Sequence, residues 1–265
     1  MKKLFMVLAA TVICGACLFT SCKKQDNLNL EEKIIGKWMI ADINGQPVLT
    51  DKKDVLTFVS ATKAYLSASL NTPPEPGAQW IDHTELDVTI SGNKVTLTSH
   101  PDEHTTVVDE YNVTAISGTE FTANRKITVT TDGNIVLSID VVMRYVKLTA
   151  DYSAAIVGKW ECQEVTGIET YNNANAGLEF FADGTYNYWR KNAAGEWQTV
   201  PNREFQYYFV DGTLMATRWK NVGEDELREW WEIASIDGNQ MQWTALRQNA
   251  DGTTVQQGVK WVKVN

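Results

Sequence analysis

The sequence predicts an all-β protein of two consecutive eight-stranded antiparallel up-and-down β-barrels behind an N-terminal targeting segment. Three observations carry this expectation. A start signal occurs twice: Ile34-Ile35-Gly36-Lys37-Trp38 returns as Ile156-Val157-Gly158-Lys159-Trp160, and Gly36 and Gly158 set the offset at 122 residues. Leu56-Thr57-Phe58 and Leu178-Glu179-Phe180 keep that offset, and a repeat of this period marks a duplicated module. Each copy then runs through short segments with period-2 apolar alternation, joined by Gly, Asn and Asp turns, and no stretch sustains a capped 3.6-residue period.

Residues 1–21 have the layout of a signal peptide. Lys2 and Lys3 form a basic start, and Leu4 to Leu18 supply an apolar run too short to span a bilayer, which needs about 20 residues. The segment closes on Phe19-Thr20-Ser21-Cys22 and turns polar at Lys23-Lys24. Small residues before a cysteine at this point resemble a bacterial lipobox. The resemblance implies a lipid on Cys22, with Cys17 as the competing position, and attachment to a membrane through acyl chains. Residues 22–32, polar and without period, read as the lipidated cysteine and a flexible tether. No acidic run follows Cys22, so the periplasmic and surface-exposed orientations both stay open.

The first module is placed at 33–148. Leu86, Val88 and Ile90 alternate with polar residues before the turn Ser91-Gly92-Asn93, and later hairpins turn at Ser117-Gly118 and Thr131-Asp132-Gly133-Asn134. About eight strands in a meander favour a closed barrel, which leaves no exposed edge, over a sandwich. Residues 71–84, with Pro73, Pro74 and Pro76, form the longest irregular stretch. His100 and His104 enclose two carboxylates, but Pro101 prevents a helix that would align the rings. A solvated loop is expected there, and no metal site.

The second module, 154–265, follows a five-residue linker short enough to bring the modules into contact. Its strands are expected at 155–163, 177–182, 185–191, 204–210, 213–219, 228–236, 240–247 and 255–264. Eight of the ten tryptophans lie here. Tyr186, Tyr188, Tyr207, Trp231 and Trp243 are the candidates to fill the barrel or to line a pocket, since rings offer apolar area with a polar handle. Trp219 and Trp230 are expected on the opposite faces of their strands, as a surface platform for stacking or contact. Cys162, the one cysteine beyond the N-terminal segment, reads as a small buried hydrophobe.

Gly-x-Trp at the head of the first strand of an eight-stranded meander resembles the calycin superfamily, which includes the lipocalins, and in particular the lipocalin-like lipoproteins of Bacteroidetes. The likeness covers both repeats. It implies that Trp38 and Trp160 close one end of each barrel and that a basic residue from the last strand packs on each ring. Arg144 and Lys260 match that second position. It also implies a lipid-anchored place at the bacterial outer membrane.

Without Lys2 and Lys3, 22 of the 24 basic residues face 33 acidic ones, a net of −11. That balance excludes the basic footprint of a nucleic-acid binder. Neither a Gly-x-Ser-x-Gly elbow nor a phosphate-cradling glycine loop occurs, and the second module has no histidine to activate Cys162. The acidic run Glu224, Asp225, Glu226 and Glu229 reads as a solvated loop. No enzyme activity and no cofactor are expected. The leading expectation is a noncatalytic envelope lipoprotein binding or presenting a small hydrophobic or aromatic-stacking ligand. The alternative is a structural or interaction lipoprotein with filled barrels that docks an envelope protein or glycan. The sequence sets no oligomeric state.

Overall fold

The computed structural model describes residues 29–69, 81–168 and 176–264. Cys22, the targeting segment, most of the expected tether and most of the irregular stretch after residue 70 lie outside them. The described chain is two antiparallel sheets in series, two consecutive barrels, with one short helix, α1 (Leu30–Lys33), at the front. Leu30 is buried in the first core with Ile34, so the packed module begins inside the stretch expected to be tether.

The first sheet contains β1 (Gly36–Ile43), β2 (Gln46–Pro47), β3 (Asp54–Ser60), β4 (Lys63–Ser69), β5 (Ile81–Ser91), β6 (Lys94–Ser99), β7 (Thr105–Ile116), β8 (Glu120–Thr131) and β9 (Asn134–Leu148). Each strand from β3 on pairs with the next, and β9 pairs back to β1. Eight strands therefore close, and β2 is a short appendage to β1. Residues 81–84, expected to be irregular, begin β5. Inside, Trp38 meets Phe121 edge-on with centroids 5.1 Å apart, and Phe121 stacks on Tyr145 at 4.8 Å.

The second sheet contains β10 (Gly158–Thr166), β11 (Ala176–Phe180), β12 (Tyr186–Lys191), β13 (Trp197–Thr199), β14 (Arg203–Asp211), β15 (Leu214–Asn221), β16 (Glu226–Asp237), β17 (Gln240–Gln248) and β18 (Thr254–Val264). The short strand β13 was not expected from the sequence. The sheet curls into a half-barrel whose ends approach across a single bridge, Thr185 to Tyr207, with Tyr208 N donating to Gly184 O at 2.8 Å. The first barrel has a full ladder at the corresponding seam.

The repeat extends to register. Gly36 and Trp38 pair with Phe58 and Leu56, and Gly158 and Trp160 pair with Phe180 and Leu178. A bulge lies between Ile40 and Asp42, and again between Cys162 and Glu164. An extra residue there bends the opening strand so that it can pair on both sides of a strongly curved sheet.

The modules touch, as the linker length implied. Met39, Val55 and Leu214 are buried together, with Val146 and Leu148 packed against them. Lys37 Nζ reaches Asp211 at 2.7 Å and Asp151 at 3.0 Å. The 3-10 turn Thr50–Lys52 sits on β16 and β17. Thr50 Oγ1 donates to Glu232 at 3.1 Å and accepts from Leu246 N at 2.9 Å.

Candidate functional site

The site grows from strand alternation. Successive side chains of a strand point to opposite faces, so one inward residue fixes the rest. On β16 Trp231 and Ile233 are buried in the core, which turns Glu229 inward as well. On β15 Met215 is in the core, and Thr217 and Trp219 follow it inward. On β17 and β18 the inward members include Trp243, Val259 and Trp261. These residues curve around a cavity of about 440 Å³, which Leu178, Tyr186, Tyr188, Arg190, Arg203 and Gln257 also line. That volume falls in the range of small-molecule sites.

The cavity lies toward the open end of the half-barrel, since Trp160 and Lys263 close the other. One wall is a run of indoles. Trp231 and Trp243 have centroids 5.8 Å apart, Trp243 and Trp261 4.8 Å, and Phe180 lies 6.1 Å from Trp243. The cavity's rim is polar: Arg190 Nε donates to Tyr188 Oη at 3.1 Å, and the Arg203 guanidinium lies 5.7 Å from the Trp219 centroid. Glu229 is open to the cavity yet ringed by protein, and burial raises its pKa. The Trp231 indole N–H and the Arg247 charge pull the other way, although the indole completes no well-formed hydrogen bond. Burial, first among the causes, also raises the Tyr186 phenol, with Arg203 opposing and Glu229 adding.

Four of the five ring candidates, Tyr186, Tyr188, Trp231 and Trp243, come together in this cavity. Tyr207 does not. It stands 40% exposed on the outer face, stacked on Phe205 at 5.5 Å. Phe205, Tyr207 and Phe209 do share a face, but Tyr208 and Val210 are the ones that turn inward. A one-residue shift of register reverses every side chain. The expected platform is likewise divided. Trp219 lines the cavity, whereas Trp230 lies half-buried on the outside against Ala216 and Phe209.

Sequence reasoning missed Arg203, Glu229 and Trp261. Alternation from Trp231 places Glu229 inside, and the same count from Val259 places Trp261. The acidic run is therefore not one solvated loop. Glu224 and Asp225 are exposed in a turn, and Glu226 is in β16, holding Arg218 at 2.8 Å and Arg228 at 2.6 Å.

The cations on the closing tryptophans also differ from those expected. Lys147 lies over Trp38 at 4.9 Å and Lys263 over Trp160 at 5.1 Å. Arg144 and Lys260 do correspond to each other, but as outward residues opposite the bulge. Arg144 Nε donates to Asp42 at 2.5 Å, and Lys260 donates to Glu164 at 2.6 Å. The buried neighbours Tyr145 and Trp261 force them outward.

Burial pushes the Cys162 thiol up to about 11, which removes the thiolate a nucleophile needs. His100 and His104 belong to the exposed turn between β6 and β7, and no group of three or more metal-capable side chains gathers among the described residues.

No known family's sequence profile matches the chain, and no curated protein matches it significantly. Similar solved structures include a double mutant of the vaccine antigen Transferrin Binding Protein B from Haemophilus parasuis Hp5, at 8% identity and a TM-score of 0.23. The match covers 80% of this chain and 52% of that one, so this chain spans about half its length. A protein from Bacteroides fragilis described as an outer membrane protein matches at 10% identity and a TM-score of 0.23, covering 88% of this chain and 99% of that one. Overlaps this loose assign neither a family nor a function.

Proposed function

We propose that this protein is a noncatalytic, envelope-anchored lipoprotein whose second module holds a small hydrophobic or aromatic-stacking ligand. The observation that supports this reading is the 440 Å³ cavity walled by Trp231, Trp243 and Trp261 at the open end of the half-barrel. Apolar walls with a few convergent polar groups are the usual make-up of a ligand site, and the raised thiol of Cys162 speaks against nucleophilic catalysis. The test is tryptophan fluorescence of the full chain titrated with fatty acids, bile acids and oligosaccharides. Saturable quenching that is lost in Trp231→Ala and Trp243→Ala but kept in Tyr207→Ala supports the reading. A flat response to every class removes it.

One observation favours the alternative, a docking protein. Ile135, Val136, Leu137 and Ile139 are all at least 40% exposed on the β8–β9 hairpin, and adjoining exposed apolar residues mark interaction surfaces. Cross-linking in intact envelopes that is lost in Ile135→Ser/Leu137→Ser, beside a flat ligand titration, would select it.

A further inference from the structure

We propose that the cavity of the second module takes an amphiphile bearing a single negative charge, a carboxylate being the simplest, with its head group on Arg203 and its apolar body along the Trp231–Trp243–Trp261 wall. The inference rests on the ligand-binding reading above and adds the charge of the ligand to it.

Arg203 carries the argument. It lines the cavity, and its Nε and Nη1 are buried with no hydrogen-bond acceptor. Among the described residues no carboxylate pairs with it; its close contact is the face of Trp219. Other enclosed arginines have partners: Arg247 donates to Gln257 and to the Trp230 carbonyl, and three more have carboxylates. Arg125 is clamped by Asp109, and Arg218 and Arg228 share Glu226. An enclosed cation without an anion is costly unless something supplies the charge, and a guanidinium suits the fork of a carboxylate.

The wall points to the same ligand polarity. The indole nitrogens of Trp243 and Trp261 have no hydrogen-bond acceptor among the described residues. Together with Arg203 they leave unmet donors in the cavity wall, which suit a ligand whose polar atoms accept. Glu229 limits the charge. It is the one acidic side chain lining the cavity among the described residues, so Arg203 matches a first negative charge while Glu229 opposes a second.

The probes are laurate, its neutral counterpart 1-dodecanol, and dodecyl phosphate, titrated into the full chain with tryptophan fluorescence as readout. Laurate is expected to bind about 10- to 100-fold more tightly than dodecanol, the span of a hydrogen bond to a charged group, and more tightly than dodecyl phosphate. Arg203→Gln is expected to abolish the preference for laurate while leaving dodecanol unchanged. Glu229→Gln is expected to strengthen laurate binding. Arg203→Lys, which keeps the charge, serves where near-ultraviolet dichroism shows Arg203→Gln to be misfolded, and is expected to keep a preference for laurate over dodecanol. Equal binding of laurate and dodecanol, or a preference that survives Arg203→Gln, overturns the inference and leaves the ligand-binding reading standing. Failure of all three probes and of the wider ligand panel overturns both.

Discussion

Lys147 Nζ stands 4.9 Å above the centre of the Trp38 ring and donates to Ile35 O at 2.9 Å. Trp38 Nε1 in turn donates to Ile34 O at 2.6 Å. The second module repeats the arrangement, with Lys263 donating to Val157 O at 2.8 Å and Trp160 to Ile156 O at 2.7 Å. The duplicated sequence signal is thus a closing device. Indole and ammonium satisfy the carbonyls of the entering chain, and the ring plugs the barrel beneath them. Lys147→Met keeps the aliphatic stem and removes the charge, so it isolates the cation–π contact and the charged hydrogen bond. The expected loss is about 1–3 kcal/mol in urea unfolding. Arg144→Met, at a more exposed ion pair, should cost less than about 1 kcal/mol. Equal losses would return the closing role to Arg144.

The glycine in the signal has a steric reason. Gly36 and Gly158 have φ of +126° and +128°. A Cβ at Gly36 would lie 2.8 Å from Lys147 Cε, and one at Gly158 2.6 Å from Lys263 Cε. A Cβ there would push the end of the lysine away from its carbonyl, and the positive φ favours glycine in its own right. Gly36→Ala is expected to cost about 1–3 kcal/mol, more than Gly133→Ala, where a Cβ meets nothing within 4 Å. Thermal unfolding of the two variants decides this, and equal shifts would show that backbone conformation alone matters.

Much of this was legible in the sequence. The offset of 122 residues located both opening strands, and Ser-Gly and Asp-Gly turns located the hairpins, because both depend on local chemistry. Faces were harder. Phe205-Gln206-Tyr207-Tyr208-Phe209 offers rings to both sides, so composition does not say which set is inside. The partner does: Tyr208 is opposite Thr217, which lines the cavity, and Phe209 is opposite Ala216, which is outside. Lys147 was missed because Arg144 is also basic and in the same strand. Counting by twos from Met143 and Tyr145 reaches Lys147 and passes over Arg144. The open seam of the second sheet depends on how far β12 and β14 curl toward each other, which no local pattern encodes.

The interior of the first barrel holds a polar cluster with a consequence for pH. Arg125 Nε donates to Asp109 at 2.8 and 2.9 Å, and Tyr111 Oη donates to Asp109 at 3.0 Å. Asp54 lies nearby with Oδ1 buried and unpartnered. Burial raises its pKa to about 6, with Arg125 and the Tyr145 hydroxyl opposing and Asp109 adding. The folded state then holds this proton more tightly than the unfolded chain, whose value is near 3.8. The stabilisation is complete below about pH 4 and is lost as pH rises through about 6. A shift of this size corresponds to on the order of 3 kcal/mol. Asp54→Asn should flatten the fall in stability of the first module between pH 4 and 6. An unchanged slope in that variant would assign the titration to another group.

The modules are joined through charge as well as through apolar contact, and the two contributions separate experimentally. Asp211 is buried, its Oδ1 is 2.7 Å from Lys37 Nζ, and its Oδ2 has no partner. Burial by itself lowers the Lys37 pKa, but the hydrogen bonds and charges of Asp211 and Asp151 outweigh it and raise the value overall. Lys37 therefore stays charged through neutral pH. Lys37→Met would strand the Asp211 carboxylate beside Leu214, and breaking one side of an enclosed pair costs about 3–5 kcal/mol when both groups are fully buried. Lys37 retains some exposure, so a loss of about 1–3 kcal/mol is expected. The double variant Lys37→Met/Asp211→Leu removes both charges and should recover much of that loss, since paired apolar replacements of buried ions are often neutral. If the double variant is as unstable as the single one, the loss is not that of a stranded charge, and the ion pair stabilises the contact by more than its apolar replacement does. Calorimetry should also separate the two transitions in Lys37→Met more widely than in the parent chain, because an uncoupled pair of modules melts independently.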